Sequence, residues 1–184
     1  MKRLPMRPEL VAAVWDGRKR ETRRIARGDR PCPYHVGEEI GVGEAHRLYR
    51  LANGGTFCRY LDGTHSAEVA GLRDGITVGH IDEELNTARE ARVRSGRFMP
   101  DAFVRMRLRI TAVRRECLWE ITPAGVRWEG APRREGPENG VAREAQEAAW
   151  FLDLWDAIHG DIPGAGWADN PEVFVIAFDS EPQA

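Results

Sequence analysis

Apolar residues recur at two different periods along this chain, and the periods predict its elements. In Arg7–Asp16, Leu10, Val11, Val14 and Trp15 fall on one face of a short helix, which Gly17 stops. In Gly37–His46, Ile40 and Val42 alternate between glycines and predict a strand, and Thr56–Leu61 predicts another. Phe103–Val113 alternates most regularly. Val104, Met106, Leu108 and Ile110 take one face, and Phe103, Arg105, Arg107 and Arg109 the other. Thr122 followed by Pro123 is an N-cap and first helical residue, for a helix reaching Trp128 and ending near Gly130. Val141–His159 carries Phe151, Leu154, Trp155 and Ile158 at helical spacing, with Gly160 behind it. Glu172–Asp179 is a strand of buried character.

Two regions give weaker patterns. Arg18–Ile25 is too basic for propensity to place. Residues 62–98 hold few apolar positions, which predicts a flexible insertion containing one helix at Glu83–Val93. Residues 131–140 read as a Pro/Gly linker. Helices interleaved with strands predict an α+β fold, one domain over residues 1–184, centred on one sheet.

Composition narrows the class. Of 184 residues, 42% are hydrophobic and 30% charged, enough apolar material for a core. No apolar run nears the roughly 20 residues of a membrane helix, and no apolar segment follows the basic start, so a cytoplasmic protein with no membrane partner is expected. Cys32, Cys58 and Cys117 are odd in number and form no CxxC pair. The five histidines have no metal-ligand spacing either, so neither a disulfide framework, a metal nor another cofactor is indicated. The net charge of -2 conceals a gradient: residues 1–50 sum to +5, 51–115 to +3, and 116–184 to -10. Such a chain either presents a positive face to an anion or neutralises its two ends against each other in the fold.

Four blocks in order resemble the ASCH group of the PUA-like β-barrel superfamily, in its phage and prophage form. They are Gly17–Arg24 (GRKRETRR), Gly37–Glu44 (GEEIGVGE), Met99-Pro100 through Thr111, and a C-terminal block. That last block comprises Leu154-Trp155-Asp156, Ile158, Gly160, Trp167, Asn170-Pro171, Val173, Val175-Ile176 and Phe178. The group's GxKxxExR signature stands here as GxKxxTxR, with Thr22 in place of the glutamate. Arg20 stands where the group often has Thr, and Gly43 where Arg is common. The K-x-x-T form is similar to a bacterial branch acting as N4-acetylcytidine amidohydrolases, in which a lysine, a threonine and a glutamate work together. Lys19, Thr22 and Glu129 match that trio. The resemblance thus implies a PUA-like small barrel or mixed sheet with flanking helices, and a modified nucleoside, RNA or DNA as partner.

Acetyl removal from an exocyclic amine needs an oxygen nucleophile, a proton carrier and oxyanion stabilisation. The implied roles are Thr22 as nucleophile or water-positioning hydroxyl, Lys19 as base or oxyanion partner, and Glu129 as the proton-handling carboxylate. Spacing of three puts Lys19 and Thr22 on one helical turn or in a bend. Neighbouring arginines would lower the lysine pKa. Arg18, Arg20, Arg23 and Arg24 are candidate phosphate contacts, Glu44 a candidate second carboxylate, and Trp128 a base-stacking or packing residue. Two rival readings use the same residues differently: a non-catalytic RNA- or DNA-binding module, and a phage accessory protein that binds a host protein through its acidic C-terminal part.

Overall fold

The computed structural model describes residues 1–50, 56–61, 92–132 and 140–182. The fold is α+β, and the described residues form ten principal elements: β1 (Arg3–Met6), α1 (Pro8–Trp15), β2 (Glu21–Ile25), β3 (Glu39–Glu44), β4 (His46–Arg50), β5 (Thr56–Tyr60), β6 (Met106–Cys117), α2 (Pro123–Trp128), α3 (Gly140–His159) and β7 (Glu172–Pro182). Five strands make a mixed sheet in the order β1-β3-β6-β7-β2, and β4 pairs with β5 in a second, two-stranded sheet. Among the described residues the five-stranded sheet does not close into a barrel. No described helix is long and apolar enough to cross a membrane.

The chain divides into two compact units. The first comprises Met1–Val11, Ile40–Arg107 and Pro182–Ala184, and the second comprises Ala12–Glu39 and Leu108–Glu181. In the first, β1 runs parallel to β3, with Arg3 opposite Gly41 and Met6 opposite Glu44. The antiparallel β4–β5 pair sets Leu48 opposite Cys58. Cys58, Tyr60, Met99, Phe103 and Val104 form the core there, with Leu48 packed against it. Gly43 and Gly96 touch backbone to backbone. A Cβ on either would come closer than 3.0 Å to the other's carbonyl group.

In the second unit β2 pairs antiparallel with β7, Thr22 opposite Ile176 and Ile25 opposite Val173. Leu118, Val126, Ala131, Phe151, Trp155, Val173 and Val175 form its core. Helix α2 starts where its sequence says it should: the Thr122 hydroxyl accepts a hydrogen bond from Gly125 N at 3.0 Å. Helix α3 buries Phe151 and Trp155, whose indole N–H donates to Ala165 O at 2.9 Å.

Several expectations need adjustment. The basic segment after α1 is strand β2, because its backbone is completed by β7. Lys19 and Thr22 therefore do not share a helical turn. Strand β6 starts at Met106, so Phe103 lies in a short 3-10 turn and is buried instead of sharing a face with the arginines. Trp15, assigned to the apolar face of α1, is 38% exposed. Strands β1 and β4 were not anticipated. Of the predicted insertion and its helix, residues 62–91 lie outside the described residues, as do 133–139 of the predicted linker.

Candidate functional site

The second unit holds a cluster of buried charge assembled by three short pieces of chain. Helix α1 stops at Gly17, whose φ of +67° suits glycine. The chain then doubles back, with Lys19 N bonded to Ala13 O at 2.9 Å. Arg20 is clamped on both sides: its N–H donates to Trp128 O at 2.7 Å, and its carbonyl accepts from Phe178 N at 2.9 Å. Lys19 and Glu129 face each other as a single antiparallel bridge. Gly130 makes this approach possible, since a Cβ there would meet Ala13 Cβ at 2.8 Å and Lys19 Cβ at 3.2 Å.

The Lys19 ammonium is 1% exposed and reaches three oxygens: Glu129 Oε2 at 2.5 Å, Glu21 O at 2.8 Å and Glu129 O at 3.0 Å. Since Arg20 bonds to β7, alternation turns the Glu21 carbonyl to the other edge of β2, where no strand among the described residues pairs with it. Lys19 caps that edge. Arg23 approaches from one face of β2, with Nη1 3.2 Å from Glu129 Oε1 and Nη2 2.8 Å from Glu116 Oε1. Arg114 joins the group through Glu21 at 2.9 Å and Glu116 at 3.0 Å. Every acid in this cluster touches at least one cation, as buried carboxylates must.

Burial holds the Lys19 pKa below the ordinary lysine value. The Glu129 carboxylate opposes that shift, and Arg24 and Arg23 reinforce it. The downward shift comes chiefly from desolvation, with the arginines a smaller contribution. Burial also lowers the pKa of Arg24, against the pull of Glu129.

Period-two alternation puts Thr22 and Arg24 on the face of β2 opposite Arg23. Thr22 is 2% exposed, and no hydrogen bond among the described residues joins its hydroxyl to Lys19 or Glu129. Lys19 and Glu129 are brought together; Thr22 lies beside them along the strand. Arg23, taken from the sequence as a phosphate contact, is 3% exposed and gives its donors to Glu116 and Glu129. Glu44 belongs to the first unit, where Arg105 takes its carboxylate and stacks over the Tyr60 ring at 3.7 Å.

Immediately beside the buried pair in sequence, Arg18, Arg20 and Trp128 turn outward. They line a cleft of about 270 Å³ together with Arg127, Arg143 and Glu147. Inward and outward positions alternate here: Lys19 lies between Arg18 and Arg20, and Glu129 follows Trp128. Arg127, Arg143 and Glu147 were missed in the sequence. A signal for Glu147 was present, because it stands four and eight residues before Phe151 and Trp155, on the stripe that packs. Glu21, Glu116 and Arg114 carried no such signal. Among the described residues no group of His, Cys, Asp and Glu could hold a metal ion. Set against family models, curated proteins and solved structures, the chain has no match.

Proposed function

We propose that this chain is a PUA-like protein of the ASCH group directed at a nucleobase, and that it removes the acetyl group from N4-acetylcytidine or a related modified pyrimidine. One observation carries the reading: the Lys19 ammonium and the Glu129 carboxylate meet at 2.5 Å beside the start of β2. Hydrolysis of an amide moves a proton from the attacking oxygen to the departing nitrogen. A lysine biased toward its neutral form and held against a carboxylate forms a pair able to take that proton and return it. In this reading the Thr22 hydroxyl, next along the strand, attacks the carbonyl or positions the attacking water. The C–N bond breaks as the exocyclic nitrogen takes up the proton and leaves as the free amine. Where water attacks, acetate forms in the same step; where Thr22 attacks, its acetyl ester remains and a second step, attack by water on that ester, releases acetate and restores the hydroxyl.

The test is direct. Purified protein is incubated with N4-acetylcytidine, and cytidine is separated by chromatography. Turnover that disappears in Thr22→Val, with the circular dichroism unchanged, is expected. No cytidine at stoichiometric enzyme would rule the hydrolase out.

A second reading rests on the burial of the same pair, 1% and 4% exposed. Lys19 and Glu129 are then a structural pin, and the chain is a nucleic-acid-binding module without chemistry. That version predicts affinity falling steeply with added salt, and no product.

A further inference from the structure

We infer that the cleft of Arg18, Arg20, Arg127, Trp128, Arg143 and Glu147 is a binding site for a nucleoside phosphate, with the phosphate on the arginines and the base against Trp128. The inference rests on the nucleobase-directed reading and names its substrate class: a phosphate-bearing nucleotide in preference to a free nucleoside.

The site is built, since its walls are held by the protein's own bonds. Glu147 is 7% exposed and lies between two of the arginines, accepting from Arg143 Nε at 2.8 Å and Arg127 Nη1 at 3.3 Å. It is a positioning residue that fixes both guanidinium groups at the rim. Arg18 is fixed by Gly130 O at 2.8 Å and by Asp16 at 3.0 Å. Arg20 differs. Its Nε donates to Gly17 O at 3.1 Å, and no hydrogen bond among the described residues uses its two terminal nitrogens. An exposed, anchored guanidinium with its fork unused is what a phosphate oxygen pair requires.

Charge and shape agree. Four arginines, Arg18, Arg20, Arg127 and Arg143, line the cleft and draw an anion to it. Trp128 is 46% exposed in the wall, a π surface with no core role that suits stacking on a base. A volume of about 270 Å³ is at the small end for ligand pockets, so it takes one nucleotide unit and not a length of strand.

Isothermal titration calorimetry on the full chain tests this with cytidine, cytidine 5′-monophosphate, and an oligocytidylate with and without a 5′-phosphate. The monophosphate should bind at least about tenfold more tightly than cytidine, the worth of one charge-assisted hydrogen bond. Arg20→Ala, at an exposed position, should abolish that advantage, and Arg20→Lys should restore part of it. If the phosphorylated oligomer binds more tightly than the monophosphate, a strand end is the source of the ligand; if it binds more weakly, a free nucleotide is. Equal affinity for cytidine and its monophosphate, or an advantage untouched by Arg20→Ala, overturns the inference. Binding is read without turnover. Lack of acetyl removal beside intact phosphate preference defeats the hydrolase alone, and turnover without that preference defeats this site alone.

Discussion

Lys19 illustrates how far a buried charge depends on its surroundings. Its side chain is fully enclosed, and one carboxylate and two carbonyls replace its water. Removing the amine takes from Glu129 its 2.5 Å partner and leaves Arg23 at 3.2 Å. Lys19→Ala should therefore destabilise the fold by about 3–5 kcal/mol, measured by urea unfolding. The double variant Lys19→Met, Glu129→Leu should lose less than the two single changes summed, since it leaves neither charge unpaired. An additive result would mean that the pair does not couple. For this reason alanine at Lys19 cannot separate catalysis from folding, and Thr22→Val is the cleaner probe of chemistry. Cys58 makes an independent case in the first unit. Burial, helped by Glu44 and opposed by Arg105, pushes its thiol up to about 12 from 9.0. Between those values the folded chain keeps a proton that the unfolded chain has released. The stabilisation is complete below pH 9.0 and lost as pH rises toward about 12. Burial raises Tyr60 as well, so it adds in the same direction. Lys19 has the opposite sign: between its lowered value and 10.5 the unfolded chain binds more protons, and rising pH favours folding. In the native protein near pH 8, Cys117 should react with a thiol reagent before Cys58, which is wholly enclosed. Prompt modification of Cys58 would contradict its burial.

At the scale of elements, caps and close approaches decide where chain segments can begin and meet. Thr122 caps α2, the helix that delivers Trp128 outward and Glu129 inward. Thr122→Ala should cost about 1 kcal/mol in denaturant unfolding. If acetyl removal is found, it should weaken along with the cap, because the helix end carries the carboxylate. In the first unit, Gly96→Ala should be far worse than a cap loss. Its methyl would strike the Gly43 carbonyl and the Glu44 amide, and backbone cannot swing aside as a side chain can. A Gly96→Ala variant with an unchanged thermal midpoint would show that the two backbones do not touch. The strand periodicity of β6 was legible because alternation with arginine is unambiguous. That of β2 was not. Glu21, Thr22 and Arg23 are all polar, and all are buried, so no contrast between faces existed to be read.

For the molecule as a whole, the charge gradient along the sequence is partly consumed by folding. In the second unit, Lys19 and Arg23 from the basic start meet Glu116 and Glu129 from the acidic end, and Arg115 meets Glu172. The neutralising alternative thus accounts for the inner residues of the basic segment, while Arg18 and Arg20 remain at the cleft. The sequence by itself determined the α+β class, the helices α1, α2 and α3 with their stops, and strands β3, β5, β6 and β7, because each depends on local periodicity, a cap or a glycine. Which of the consecutive charges Arg18 to Arg24 would be buried was decided only by tertiary structure. A strand edge, a helix end more than 100 residues away and the partners' carboxylates fix that choice, and the energy of a charge depends on what encloses it and not on its neighbours in the chain.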